Sequence, residues 1–356
     1  MDWSKDYEIV AWMDSNEHRD KYSSHDAILA ISEQTDKSSS DLKNIDELSE
    51  TIDKKKDWLF GYFSYDIKNE IEVLSSDNFD GLYFPELFFF SPEKLITIKD
   101  GQLNFLYLNE VAHQIDKDFA KISALSETEA PKSNPEQSVR IKMRIHKDAY
   151  FEKAQKFLDH IHRGDIYEAN FCQEFYAEDT TIDPLETYRN LNHISEPPFA
   201  TYLKIGDNHL LCASPERYLK KQGQTVISQP IKGTAARGET AVQDEELQLK
   251  LGQDEKERAE NIMITDLVRN DLSKSAVKGS VEVDELCKVY SFKQVHQMIS
   301  TVTAEVSKDT KPLDLIKQTF PMGSMTCAPK ISALTLMEEL EETKRGLSSG
   351  TVCYLD

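Results

Sequence analysis

The chain has 356 residues, 39% of them hydrophobic and 29% charged, and carries a formal net charge of −21. This is the composition of a folded, soluble protein rather than a disordered one, and the length suits one large domain or two modest ones. So acidic a chain lacks the basic face that a nucleic-acid backbone needs, though a small anion could still be held in a local positive pocket or through a metal.

The N-terminal stretch MDWSKDYEIVAW has no long apolar core of the kind a signal peptide carries. The most apolar run, GLYFPELFFFSPE, is too short for a bilayer and is broken by prolines. DWLFGYFSYDI and GLYFPELFFFS read as strands, and SEQTDKSSSDLKN, from Ser32 to Asn44, as an exposed loop. A linker rich in Pro, Ser, Glu and Asn runs from Ser126 to Ser138. It divides a mostly-β segment, 1–135, from a second segment, 136–356.

Beyond the linker, Tyr150, Phe151, Ala154, Phe157, Leu158 and Ile161 recur at helical spacing, with Gly164 as the stop. In DIYEANFCQEFYAE the pattern alternates, with Tyr167, Ala169, Phe171 and Phe175 on one face of a predicted strand and Glu168, Asn170 and Glu174 on the other. Strands follow around Lys232, then a helix from about Glu255 to Leu272, and a last helix carries Leu334, Met337 and Leu340. This order predicts an α+β fold rather than regular βαβ. The five cysteines, Cys172, Cys212, Cys287, Cys327 and Cys353, are scattered, odd in number and without a CxxC pair. They predict neither a disulfide framework nor a zinc site, and the cytoplasm is the expected compartment.

Five strings carry possible chemistry. In QPIKGTAARG, Lys232 stands at a Pro/Gly corner. Such a lysine is ordinarily a solvated surface residue; held in a partly desolvated pocket it would be a nucleophile or base. In CASPERYL, Glu216 is either a strand-edge carboxylate or an acid/base partner for that lysine. In DEKERAENIMITDLVRNDL, Glu257 and Glu260 share a helix face, as a solvated face beside Lys256 and Arg258 or as oxygen donors for a divalent cation. Gly323, Ser324 and Thr326 precede a helix, as a plain cap or an anion site. His296, beside Val295 and Met298, reads by itself as a packed core residue, and His160 and His162, two apart, share no helix face.

Taken in order, IYEANFCQEF, ASPERYL, PIKGT, ERAENIMITDLVRNDL, VHQMIST and GSMTCAPK resemble the successive motifs of the chorismate-utilising enzymes, from about Tyr150 to the end of the chain, with GYFSYD a weaker match upstream. The resemblance implies large antiparallel sheets packed face to face with helices outside. Within the family, lysine at position 232 marks the aminodeoxychorismate synthase branch, on the para-aminobenzoate route to folate; anthranilate, isochorismate and salicylate synthases usually have alanine there. Isochorismate and salicylate synthases also use a water-activating lysine at the position of Glu168, where the other branches commonly have glutamine. The implied reaction is an amination of chorismate by a transferase, with Mg2+ as cofactor and ammonia from a separate glutamine amidotransferase subunit. Lys232 would be the covalent nucleophile and Glu216 the general acid and base. Glu257 and Glu260 would hold the metal, and Thr234, His296 and Ser324 would line the substrate pocket. Rival readings are an anthranilate synthase component I and a non-catalytic relative that docks the amidotransferase. Cys327 departs from a usual glycine, and Ser348 from a frequent aromatic. The family's pattern also continues for several dozen residues past Asp356, with an arginine for a substrate carboxylate, a glycine-rich anion loop and a second glutamate pair. Without them, apolar surface is expected to be exposed.

Overall fold

Apolar strands buried on both faces account for most of the N-terminal architecture. The computed structural model describes residues 1–33, 42–125 and 139–356, so the linker at Ser126–Ser138 and most of the loop at Ser32–Asn44 lie outside the described residues. A six-stranded antiparallel sheet runs in the order β10 (Asn208–Ser214), β9 (Phe199–Ile205), β1 (Ile9–Asp14), β2 (Ala27–Ser32), β5 (Lys94–Lys99), β6 (Gln102–Tyr107). One of its faces sends Ile9, Ala11, Ile28, Ala30 and Leu95 onto Phe60, Tyr62, Phe88 and Phe90. Those aromatics belong to a three-stranded sheet, β16 (Thr351–Leu355), β3 (Leu59–Phe63) and β4 (Leu87–Phe90). The alternate residues of this sheet, Leu59, Phe63, Leu87 and Phe89, face the other way, onto α1 (Ile45–Lys55) and α7 (Pro312–Thr319). Strands from both sides of the linker therefore share sheets. At Gly61 the β3 and β4 backbones come so close that a Cβ would stand 1.9 Å from the Phe88 carbonyl oxygen.

The second large sheet has five strands: β11 (Arg217–Gln222), β12 (Thr225–Gln229), β15 (Val295–Glu305) and β13 (Ile231–Ala236) in order, with β14 (Glu282–Ser291) also on β15. Helix α6 (Glu255–Ser273) lies on it, burying Val268 and Leu272 against Val226, Val302 and Ala304. Asp254 caps α6 by accepting from the Glu257 amide at 3.0 Å. Helix α3 (Lys147–Arg163) ends at Gly164, at φ +84°, as the spacing predicts. It packs Phe157 against Ala333, Leu336, Met337 and Leu340 of α8 (Lys330–Leu340). Among the described residues, no helix is long and apolar enough to cross a membrane.

One predicted strand is corrected. Of DIYEANFCQEFYAE, only Phe175–Tyr176 (β8) enters a ladder, with Lys142–Met143 (β7). Residues 167–174 alternate but have no strand beside them. Backbone bonds hold the two ends, from the Tyr167 amide to the Ala328 carbonyl at 2.9 Å and from the Arg144 amide to the Glu174 carbonyl at 3.0 Å, and side chains take up groups between: Glu341 accepts from the Cys172 amide at 2.9 Å, and Arg345 donates to the Asn170 carbonyl at 2.6 Å. Alternation reports which way side chains point; it does not supply a partner strand.

Candidate active site

Lys232 projects from a β-bulge. The pairing of β13 with β15 slips between Ile231 and Thr234, and Gly233 sits at φ +95°, a conformation that glycine adopts without strain. Pro230 offers no amide proton, which favours a break in the ladder at this point. Helix α6 then locks the bulge. Asn261, which is 1% exposed, donates to the carbonyls of Lys232 at 3.1 Å and Met298 at 2.9 Å. A Cβ at Gly233 would come within 3.3 Å of the Glu257 side chain, so the helix presses directly on the corner.

The lysine Nζ donates to Glu168 Oε1 and, at 3.2 Å, to Asn170 Oδ1. The Lys232 and Glu168 side chains are 14% and 18% exposed. Cys327 Sγ lies 3.5 Å from the same Glu168 oxygen, and Glu168 Oε2 is buried without a partner. In the sequence, Glu168 and Asn170 share one polar face of the predicted strand and Glu168 also departs from a common glutamine, but neither is joined to Lys232. Their spacing, i and i+2 on one face of an extended segment, is the signal that joins them to one site.

Glu216 follows Pro215, at the turn from β10 to β11. Its Oε1 accepts from the amide of Ile231, the residue before Lys232, at 3.2 Å. The residue is half-buried, but its carboxyl is enclosed, and burial raises its pKa to about 7. The Ser324 hydroxyl, the Ile231 amide and the Lys232 charge oppose that rise. Ser324 is 4% exposed and its Oγ forms no well-aligned hydrogen bond, so the hydroxyl is available to a ligand. The site thus sets an amine beside a carboxyl poised to titrate near neutrality.

The remaining residues singled out from sequence take two kinds of place. Glu257 and Glu260 lie on one face of α6, and the Lys256 ammonium stands 3.7 Å and 3.2 Å from their oxygens. Lys256 thus bridges the pair as on a solvated face, while two carboxylates on one helix face are also the kind of oxygen donor a hydrated divalent cation takes. Among the described residues, no group of three or more His, Cys, Asp and Glu gathers as a metal cluster. Thr234 is exposed on β13. His296, fully buried on β15, has both ring nitrogens engaged, with Ser291 Oγ at 2.8 Å and Asp244 Oδ1 at 3.0 Å. Asp244 is held well below the usual carboxylate range by Arg237.

Comparison with known proteins matches the chain to a family. The family model for chorismate binding enzyme covers residues 8–356. Aminodeoxychorismate synthase component 1 of Bacillus subtilis (strain 168) is 32% identical over 302 residues, 82% of this chain and 64% of that protein. The component 1 protein of Escherichia coli (strain K12) is 37% identical over 209 residues, 59% of this chain and 46% of that one. Among solved structures, anthranilate synthase component I from Streptococcus pneumoniae TIGR4 superposes with a TM-score of 0.74 at 25% identity, covering 84% of this chain and 68% of that one. The chain spans less than two thirds of the length of these two curated relatives. With the family model matched over nearly all of its length, the chain belongs to the chorismate binding enzymes.

Proposed function

We propose that the chain is the chorismate-aminating component of an aminodeoxychorismate synthase, turning chorismate and ammonia into 4-amino-4-deoxychorismate. The observation that carries this reading is Lys232 within electrostatic reach of Glu216, which accepts from the adjoining Ile231 amide and has its pKa raised to about 7. Lys232 Nζ, having passed a proton to the Glu168 carboxylate, which returns it at the end, forms a bond to C2 of the ring while the C4 hydroxyl departs with a proton from Glu216, as water. Ammonia then bonds to C4, the C2–N bond breaks to release Lys232, and Glu216 takes the surplus proton from the new ammonium. Covalent catalysis here divides one hard substitution into two allylic ones. Glu257 and Glu260 would hold magnesium, which would screen a carboxylate of the substrate. Ser324 and Thr234 would contact the substrate, and His296 would brace β15 behind it. The ammonia would come from a glutamine amidotransferase subunit.

Relatives named anthranilate synthase also match this chain, so a second reading is amination at C2 with loss of pyruvate. Lys232 favours the first, because it occupies C2 itself in the covalent step. The test is a product assay with chorismate, ammonium, magnesium and the purified chain, read by mass spectrometry. Aminodeoxychorismate is the expected product. Anthranilate would overturn the role given to Lys232, and unchanged chorismate with well-folded protein would overturn the activity for this chain.

A further inference from the structure

Residues 167–174 carry two partners of Lys232, yet no strand holds them. Between the backbone bonds at Tyr167 and Glu174, what holds the middle is a buried ion pair. Arg345 Nε and one terminal nitrogen grip Glu341 at 2.9 Å and 2.6 Å, with side chains 2% and 5% exposed. The same terminal nitrogen reaches the Asn170 carbonyl at 2.6 Å, and Glu341 Oε1 accepts from the Cys172 amide at 2.9 Å. Tyr65 fixes the guanidinium plane, its ring centroid 4.6 Å from Cζ. The pair therefore fastens the backbone at Asn170 and Cys172. Asn170 passes the constraint on. Its Oδ1 accepts from Lys232 Nζ at 3.2 Å, and its Nδ2 donates to the Ser324 carbonyl at 2.6 Å.

We propose that Glu341 and Arg345 are positioning residues for the reacting amine: by fixing the stretch 168–172 they fix Glu168 and Asn170, and through these the Nζ of Lys232. The inference rests on reading Lys232 as the nucleophile. The physical case is one of magnitudes. A buried ion pair adds little net stability, because desolvation offsets the attraction. Its planar fork, however, holds several acceptors at fixed angles, which a lysine's point charge does not do. The gain from Arg345 is therefore geometric, and a misplacement of about 1 Å at a reacting group costs on the order of 100-fold in rate.

Two variants test this. R345K keeps the charge and loses the fork. E341L/R345M removes both charges, leaving no orphaned ion, so the fold should hold. Both are expected to lower kcat by about 10- to 100-fold while KM for chorismate stays within about threefold. Acetylation of Lys232 by acetic anhydride, followed by peptide mass, should rise several-fold relative to exposed lysines as Glu168 and Asn170 let go. Wild-type acetylation of Lys232 together with wild-type kcat per folded molecule would overturn the proposal. K232A separates it from the reading beneath it. Full turnover by K232A would remove the nucleophile, whereas the acetylation result still decides whether the pair fixes Nζ.

Discussion

Lys94 and Lys232 differ in how completely the protein encloses and satisfies them. Lys94, 1% exposed between the six-stranded sheet and α2 (Ile115–Ser123), donates to Tyr7 Oη at 2.9 Å, Gln114 Oε1 at 2.7 Å and Asp118 Oδ2 at 2.9 Å. An ammonium has three protons, and all three are used. The rings of Trp3, Tyr7 and Tyr107 cover the rest. Lys232 has two acceptors, Glu168 and Asn170, and stays 14% exposed. A saturated lysine is part of the scaffold, while one with a direction left open can turn to a ligand. The same contrast separates the two regions. The N-terminal sandwich closes its backbone bonds in ladders; the amine pocket closes many of its own through Asn170, Asn261, Glu341 and Arg345.

The sharpest way to break this comparison is to remove each lysine. K232A should cut aminodeoxychorismate formation by at least about 10³-fold and leave the melting temperature within a few degrees of wild type. If K232A keeps turnover, an open proton on a buried lysine does not mark chemistry here.

Glu216 carries the next largest effect. E216Q should lower kcat by about 10²- to 10³-fold. In the wild type the acid step needs protonated Glu216, so kcat should fall as pH rises through about 7, and E216Q should lack that limb. Stability moves in the same direction. The folded pKa lies above the unfolded value of about 4.3, so the native state binds more protons between these values. That contribution is fully present below about pH 4.3 and is lost as pH rises through about 7. Urea unfolding should therefore show E216Q gaining on wild type by up to about 3 kcal/mol between pH 5 and 8. Parallel pH profiles of the two proteins would contradict the raised pKa.

Lys94 should behave in the opposite way to Lys232. K94M strands Asp118, which is 2% exposed, without its cation. It should cost about 3 kcal/mol in urea unfolding while the kcat of the folded fraction stays at the wild-type level. A loss of turnover at full stability would mean that this region communicates with the site.

What was legible in the sequence follows the same divide. The apolar runs DWLFGYFSYDI and GLYFPELFFFS, and the helical spacing up to Gly164, are one-dimensional records of what meets a core. They transferred to the fold directly. Lys232 was legible as an anomaly, a charge at a Pro/Gly corner, and the structure puts a bulge and a positive-φ glycine at that corner. The Glu168 contact was not, because a periodic pattern gives the direction of a side chain but not what lies opposite it. The Glu341–Arg345 pair was hidden for a related reason: at i and i+4 its two charges read like a solvated surface pair. Only the fold buries it.

The smallest effect concerns Cys327, at the glycine position of GSMTCAPK. It is fully buried, with φ +66° and ψ −164°, a region that is essentially open only to glycine. Holding a side chain there costs about 1–3 kcal/mol. Cys327→Gly removes that strain, but it gives up roughly 1–2 kcal/mol of buried side chain and about 0.5–1 kcal/mol of added freedom in the unfolded chain. The terms nearly cancel, so C327G should change unfolding free energy by less than about 1 kcal/mol. Cys353 is the control, because it sits in the regular ladder of β16, paired with Gly61, with no strain to release. C353G should cost about 2 kcal/mol or more. Equal losses in the two variants would mean that the pocket stores no strain at Cys327. A gap of more than about 1 kcal/mol would place it in the same wall that presents Sγ to Glu168.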